Sequence, residues 1–155
     1  MSAADELALD ITSDAGELAQ VREAVQQWAM RVGWSEEHAA DIMLAVDEAL
    51  SNVIRHGYDG KPGQPIELRA RRVSDARRGE GLEIVIRDYG KQVPIEQICG
   101  RDLDDIRPGG LGVHIIRSVM SEVIYEHARG GGMRLTMRKY RADVSAGQGR
   151  PREES

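Results

Sequence analysis

The stretch DEALSNVIRHGYDG, Asp47 to Gly60, ends a long helical pattern and leads into a turn rich in glycine. The apolar residues of this helix recur at helical spacing and form its buried stripe: Ile42, Val46, Ala49 and Val53. Glu48 and Asn52 lie four residues apart, so both side chains face one side of the helix. An amide oxygen suits magnesium, and a neighbouring carboxylate can accept a proton from a hydroxyl. The same pair also occurs on ordinary solvated helices, so its role depends on what the rest of the chain supplies.

Two elements precede this helix. Residues Glu6 to Ile11 alternate apolar and polar side chains, which predicts a short strand. After the N-cap candidates of TSDAGE, apolar residues at helical spacing predict a first helix that ends near Gly33: Leu18, Val21, Val25 and Trp28. Ser35 can then cap the helix that carries Glu48, with His38 in place of the Glu or Gln of a full capping box.

The chain after Gly60 predicts strands, a long loop and a third helix. IELRARRV and LEIVIRD alternate on either side of the polar SDARRGEG, which predicts an antiparallel hairpin. The segment from Tyr89 to Gly110 has no sustained period, and loops of that length are often functional. LGVHIIRSVM returns to helical spacing, while SEVIYEH and MRLTMRKY predict two strands around the turn ARGGG. The expected fold class is α+β: a two-layer sandwich with an antiparallel or mixed sheet of about four or five strands and three helices on one face.

Length and composition favour a single domain that does not bind nucleic acid or an anionic membrane surface. The chain has 155 residues, which suits one domain at 1–141, and the polar segment 142–155 is expected to be a disordered tail. Lys and Arg total 21 against 26 Asp and Glu, and this net charge of -5 argues against nucleic acid or a membrane surface as partner. The chain shows neither a membrane span nor a secretion signal, so a cytoplasmic location is expected. Cys99 is the only cysteine, which excludes an intrachain disulfide and a thiolate metal cluster.

Two further sites carry chemistry beyond the helix. Asp88 ends the apolar strand IVIRD and is followed by Tyr89 and Gly90, so a carboxylate that can accept a hydrogen bond from an exocyclic amine lies where the chain turns. Gly109, Gly110 and Gly112 precede the third helix, where free backbone N–H groups make a phosphate cradle, and Arg107 could add a charged contact. A strand-end turn and a flexible glycine turn are the simpler interpretations of these two stretches.

The order of the three sites is more specific than any one of them. A helix with Glu and Asn, a strand-end Asp-x-Gly, a long loop and Gly-x-Gly at a helix start resembles the N, G1 and G2 boxes of the GHKL (Bergerat-fold) ATP-binding superfamily. The segment AVDEALSNVIRHGY most resembles the corresponding segment of the small anti-sigma-factor serine/threonine kinases, the RsbW/SpoIIAB-like proteins. The resemblance spans roughly Leu7 to Tyr140.

The resemblance implies a role for each box. Glu48 becomes the general base, and Asn52 ligates magnesium. Asp88 reads the adenine amino group with Gly90 beside the base, and Lys91 to Gly109 becomes a lid over ATP. The remaining residues would bind the phosphates of ATP: Arg107, Gly109, Gly110, Leu111 and Gly112.

The sequence departs from the family pattern at three points. Gln92 replaces the second glycine of Asp-x-Gly-x-Gly, which affects the loop on the adenine side. Pro108 fills the place next to the glycines where relatives carry a basic residue, with Arg107 one position earlier. Met133 stands where relatives open the last strand with Gly-Thr, and Thr136 is not an evident substitute.

By resemblance, the protein is a homodimeric kinase that uses ATP and Mg to phosphorylate a STAS-domain anti-anti-sigma protein, and that also holds a sigma factor or another regulator. The first helix and the surface beside the lid are candidate docking faces. One alternative is a nucleotide-gated anti-sigma or binding module that transfers no phosphate. Another is a generic GHKL ATPase or a histidine-kinase fragment, against which the short segment before Glu6 counts because it has no room for a phospho-accepting helix.

Overall fold

The computed structural model describes residues 5–95 and 110–144. Its main elements, in chain order, are β1 (Glu6–Thr12), α1 (Leu18–Arg31), α2 (Glu36–Asn52), β2 (Pro65–Asp75), β3 (Gly79–Asp88), α3 (Gly110–Val119), β4 (Glu122–His127) and β5 (Met133–Tyr140). Every strand and helix expected from the sequence pattern is present in these ranges. The predicted loop Tyr89 to Gly110 is described only up to residue 95, so most of the expected lid, together with Cys99, lies outside the described residues.

The five strands form one sheet in the order β1-β2-β3-β5-β4, and every neighbouring pair is antiparallel. Leu9 pairs with Leu68, which pairs with Ile86, which pairs with Leu135. Residues directly opposite each other in a sheet share a face, so this apolar row identifies the side of the sheet that is buried. The last strand, β5, lies between β3 and β4, and β3 is the central strand of the sheet.

The helices bury that side of the sheet. Val21, Val25 and Trp28 of α1 and Ile42 and Val46 of α2 belong to the same core cluster as the apolar row of the strands. The opposite side carries charged side chains, among them an ion-pair ladder in which Arg71 and Arg138 both bind Glu83 and Arg138 also binds Glu122. One apolar face and one polar face are typical of an antiparallel sheet in a two-layer sandwich. The expected α+β fold class is confirmed.

The helix α2 begins and ends as its sequence suggests, with one addition. Ser35 accepts a hydrogen bond from the His38 backbone N–H at 3.1 Å, and its hydroxyl lies 2.9 Å from His38 Nδ1, so the histidine takes part in the cap. After Asn52 the chain continues as a π-helical turn, Val53–Gly57, which the sequence pattern did not predict. Such turns often occur at functional sites because they shift the following residues around the helix axis.

Two boundaries differ from the sequence expectation. The polar break in the hairpin is shorter than SDARRGEG, since β2 extends to Asp75 and β3 begins at Gly79. The chain at 141–144 forms a helical turn in which Val144 packs against the core and Asp143 pairs with Arg78, so these residues belong to the folded domain. The rest of the expected tail lies outside the described residues. No helix within 5–95 or 110–144 is long and apolar enough to cross a membrane.

Candidate nucleotide site

Glu48 and Asn52 lie in the last turns of α2, where the sequence predicted them. Both residues are half-buried, and no hydrogen bond or ion pair of the Glu48 carboxylate is found within the described ranges. The Asn52 Oδ1 atom accepts a long hydrogen bond from Arg55 Nη2 at 3.4 Å. Asn52 Nδ2 is buried without a hydrogen-bond partner in the part of the chain that the structure describes. A buried polar atom without a partner is costly, and a ligand that satisfied this amide group would remove the cost.

Asp88 is the most buried acidic side chain of the site, at 2% exposure. It ends β3, and its register partner Ile66 belongs to the buried side of the sheet, so the carboxylate points towards the helices. Its Oδ1 atom accepts two backbone hydrogen bonds, from Gly90 N at 2.9 Å and from Met133 N at 3.2 Å. Burial raises the pKa of Asp88 above its ordinary value, and these two hydrogen bonds oppose the rise.

The π-helical turn that follows α2 and the turn that follows β3 meet at Gly57 and Gly90. A Cβ on Gly90 would collide with the Gly57 carbonyl oxygen, and one on Gly57 would lie 3.6 Å from Asp88 Oδ1. Lys91 N donates to that same Gly57 carbonyl at 3.0 Å. Gly90 is therefore required by close approach of two backbones, which explains its place in the sequence pattern. The turn after Asn52 is held directly against the carboxylate of Asp88.

Tyr58 fixes the same junction from the buried side. Its hydroxyl donates to Pro65 O at 2.6 Å and accepts from Tyr89 N at 2.7 Å. Burial raises the pKa of Tyr58, which keeps the hydroxyl proton available for donation. Tyr58 is a site residue that the sequence pattern did not predict, although its position directly after the glycine of RHGY could have suggested a role.

The turn between β4 and β5 closes the site on its other side. Gly132 has φ +76°, and a Cβ on it would collide with the backbone carbonyl of Asp88. Arg87 clamps the turn: its Nη1 atom donates to Gly131 O at 2.8 Å and to Asp88 O, and its Nη2 atom to Arg129 O at 3.0 Å. Sequence analysis predicted the ARGGG turn but gave it no function, because its contact with Asp88 depends on β5 lying beside β3.

The glycines of the predicted phosphate cradle begin α3. Gly110, Leu111 and Gly112 form its first turn, whose backbone N–H groups have no acceptor within the helix. The helix packs against α2, which carries Glu48 and Asn52. Arg107 and Gly109 lie outside the described residues, and their phosphate role stays a prediction.

The three departures from the family pattern have definite positions. Gln92 Nε2 donates to Ala128 O at 2.9 Å and to Gly132 O at 3.2 Å, so the residue is bound to the β4–β5 turn. Met133 contributes its backbone N–H to Asp88 rather than a polar side chain. Thr136 lies on the opposite side of the sheet from the buried row, so it does not take part in the site. The neighbourhood of Pro108 is outside the described residues.

Residues 11–139 match the histidine kinase-like ATPase domain family. The chain belongs to this family. A serine-protein kinase RsbW from Bacillus pumilus is 30% identical over 120 residues, which cover 72% of this chain and 71% of the relative. The serine/threonine-protein kinase BtrW from Bordetella bronchiseptica is 30% identical over 119 residues, covering 76% of this chain and 81% of the relative. These relatives confirm the RsbW-like resemblance, and they support the expected enzyme class, a protein serine/threonine kinase.

Solved structures support the same fold. A crystal structure of the RsbU and RsbW domains of a Mycobacterium tuberculosis protein aligns with a TM-score of 0.62 at 19% identity, covering 87% of this chain and 32% of that chain. The histidine kinase domain of a blue-light activated histidine kinase from Erythrobacter litoralis aligns with a TM-score of 0.52 at 20% identity, covering 84% of this chain and 62% of that chain. The family implies that this histidine kinase-like ATPase domain uses ATP.

Proposed function

We propose that the protein transfers the γ-phosphate of ATP to a serine or threonine hydroxyl of a small STAS-domain anti-anti-sigma protein, and that it holds a sigma factor or another regulator. The observation that carries the proposal is the junction of α2 with β3, where Gly57 abuts the Asp88 carboxylate in a chain of this family. That contact supports the proposal because it brings Asp88, the proposed adenine-reading group, close to the end of the helix that carries Glu48 and Asn52.

Asp88 reads the adenine end of the nucleotide in this proposal. Two backbone N–H groups occupy its Oδ1 atom, which leaves Oδ2 to accept from the exocyclic amino group of the base. Gly90 has no side chain, so the base can approach the backbone there. The carboxylate must be ionised to accept without donating, and the two backbone hydrogen bonds favour that form.

The phosphate end fits a magnesium ion with few protein ligands. No group of three or more His, Cys, Asp or Glu side chains in the described ranges is placed to hold a metal ion. The atom on this chain that could ligate the ion is instead Asn52 Oδ1, whose contact with Arg55 is long at 3.4 Å. The unpartnered Asn52 Nδ2 atom and the backbone N–H groups of the first turn of α3 can donate hydrogen bonds to phosphate oxygens. Magnesium usually keeps several waters and substrate phosphates in its shell, so a single amide ligand is sufficient. The ion would neutralise charge on the phosphates, with Asn52 as its protein ligand.

Glu48 acts as the general base. It lies one helical turn before Asn52, on the same side of α2, and its half-buried carboxylate is not engaged by another described residue. It accepts the proton of the attacking serine or threonine hydroxyl as that oxygen bonds to the γ-phosphorus and ADP leaves. The N–H groups of Gly110, Leu111 and Gly112 stabilise the negative charge on the phosphates.

The partners rest on the resemblance to RsbW-like kinases. A homodimer, with α1 and the surface beside the lid as docking faces, and a cytoplasmic location both stay predictions. A nucleotide-gated binding module that transfers no phosphate is the alternative, and the intact Glu48 counts against it.

The test is transfer of label from γ-labelled Mg-ATP to STAS-domain proteins of the same organism, with Glu48→Gln and Asn52→Ala measured in parallel. Label on a STAS protein that is lost in both variants supports the kinase. Binding of ATP with no transfer to any STAS protein supports the binding module. Hydrolysis of ATP that no STAS protein redirects supports a generic ATPase.

A further inference from the structure

The side chain of Gln92 holds the backbone that positions Asp88. Resting on the proposed function, we propose that Gln92 is a positioning residue that sets the preference of the site for adenine. Gln92 stands where many relatives in the resembled superfamily have a glycine, which has no side chain to make these contacts.

One peptide unit links Gln92 to Asp88. Gln92 Nε2 donates to Gly132 O at 3.2 Å, and Met133 N donates to Asp88 Oδ1 at 3.2 Å. The Gly132 carbonyl and the Met133 N–H belong to the same peptide bond, which is planar. Fixing the direction of the oxygen therefore fixes the direction of the N–H that binds the carboxylate. Polarisation through the amide also strengthens the second hydrogen bond when the first one forms.

This peptide unit is further restrained by the hydrogen bonds that close the β4–β5 turn. Gly132 O also accepts from Ala128 N at 3.0 Å, and Gln92 Nε2 donates in addition to Ala128 O at 2.9 Å. The single amide group thus bridges the carbonyls on both sides of the turn. Among the described residues, Gln92 supplies the only side-chain hydrogen bond to Gly132 O.

The same loop carries the second donor to Asp88. Gly90, two residues before Gln92, donates its backbone N–H to Asp88 Oδ1 at 2.9 Å. His127 Nε2 lies 2.9 Å from Val93 O, so the residue after Gln92 is also tied to β4. Gln92 therefore joins the two backbone segments whose N–H groups orient the carboxylate. Loss of its side chain would let them move apart and widen the range of carboxylate orientations.

Base selectivity is the property that this restraint affects. Adenine offers an amino donor to the carboxylate, whereas guanine has a carbonyl oxygen at the corresponding position and is repelled by it. Discrimination by hydrogen bonding depends on a fixed acceptor, since a mobile carboxylate can turn away from the wrong base. Gln92 is accordingly expected to change nucleotide affinity and the ATP-to-GTP preference, with little effect on the transfer step at saturating ATP.

The test compares Gln92→Glu and Gln92→Ala with the unchanged protein. Glutamate has the shape of glutamine, but its carboxylate cannot donate and faces the oxygens of Ala128 and Gly132. The control is Gln27→Glu, which makes the same charge change at an exposed position of α1. Dissociation constants for Mg-ATP and Mg-GTP and the thermal unfolding midpoint without nucleotide are measured for all four proteins.

We expect Gln92→Ala, which loses both hydrogen bonds to the turn, to weaken ATP binding about 5- to 10-fold, which corresponds to about 1 to 1.4 kcal/mol, and to lower the ATP-to-GTP preference by a similar factor. Gln92→Glu should do more, and Gln27→Glu should match the unchanged protein. An unchanged preference in both Gln92 variants, with or without a lower unfolding midpoint, would overturn the positioning role and leave the proposed kinase standing. Failure of the unchanged protein to bind ATP would overturn both.

Discussion

The backbone N–H of Met133 donates to the carboxylate of Asp88 across 3.2 Å, although 45 residues separate them in the chain. This contact exists because β5 lies beside β3 in the sheet, where Arg134 pairs with Arg87. Because the contact uses only the backbone, Met133 can make it although relatives tend to have Gly-Thr at this point. The site therefore depends on the geometry of the β4–β5 turn more than on the side chains that follow it.

Gly132→Ala should disrupt the site far more than Gly130→Ala. Both glycines have positive φ, 86° for Gly130 and 76° for Gly132, so alanine is strained at each by about 1–2 kcal/mol. Only at Gly132 does the new Cβ also collide with Asp88 O, because nothing lies within 4 Å of a Cβ at Gly130. The collision should cost about a further 1–3 kcal/mol and abolish ATP binding. Urea unfolding and ATP titration of both variants measure this, and equal effects would contradict the close approach.

Asp88→Asn should remove ATP binding without lowering stability at neutral pH. The amide keeps an oxygen for Gly90 N and Met133 N, but it presents an N–H donor to the amino group of adenine. We expect ATP affinity to fall about 100-fold or more. Because burial raises the pKa of Asp88, the ionised form is costly in the folded state, and the neutral amide avoids that cost. Asp10→Asn at the exposed edge is the control, and a clearly lower unfolding midpoint for Asp88→Asn alone would count against this account.

The stability of the protein relative to Asp88→Asn should also depend on pH in a defined direction. A carboxyl group with a raised folded pKa binds a proton more readily in the folded than in the unfolded state. Its contribution to stability is therefore greatest in acid, and is lost as pH rises from its unfolded pKa, near 3.9, through its folded pKa. Urea unfolding of both proteins across this range should show that the free energy of unfolding of Asp88→Asn rises, relative to that of the unchanged protein, as pH rises. A constant difference would mean that burial does not raise the pKa.

Local sequence patterns predicted the elements and the boxes that are contiguous in the chain. Alternation in IELRARRV and LEIVIRD identified β2 and β3, and the strand end identified Asp88 as a candidate. These features depend on side-chain periodicity, which can be read within a short window. The Glu48 and Asn52 pair was found in the same way, since four residues along a helix determine a shared face.

The rest of the site depends on contacts between distant segments. Gln92 and Met133 contribute through the β4–β5 turn, and their positions follow from a strand order that the sequence does not specify. The Tyr58 hydroxyl bridges two strand ends, and Arg87 reaches carbonyls more than 40 residues away. The π-helical turn after Asn52 was missed because its backbone geometry leaves no residue pattern distinct from an α-helix.

Glu48→Gln should separate binding from transfer. Glutamine has the same shape as glutamate but cannot take the proton of the attacking hydroxyl, so transfer should fall about 100-fold or more. The substitution leaves Asp88, the proposed adenine-binding residue, unchanged, so ATP should still bind. Glu37→Gln, at an exposed position in the first turn of the same helix, is the matched control. Transfer by Glu48→Gln at the normal rate would remove Glu48 from the base role, whereas loss of ATP binding would assign it to the nucleotide pocket.

Lys139 offers a test at the C-terminal end of α3. It is 6% exposed, and its ammonium group donates to Val119 O at 2.6 Å, at the C-terminus of α3. Burial lowers the pKa of Lys139, while the charges of Asp41 and Asp143 oppose the lowering. Between the lowered folded pKa and the unfolded pKa the unfolded chain binds more protons, so stability rises with pH in that window.

The stability of the unchanged protein relative to Lys139→Met should therefore increase as pH rises from the lowered folded pKa towards the unfolded pKa of lysine, near 10.4. The increase amounts to about 1.4 kcal/mol for each pH unit between the folded and unfolded pKa values. Urea unfolding across this pH range measures it, with Lys61→Met as the control at an exposed position. A difference that stays constant with pH would show that Lys139 holds its proton equally well in both states, so that the charges of Asp41 and Asp143 fully offset its burial.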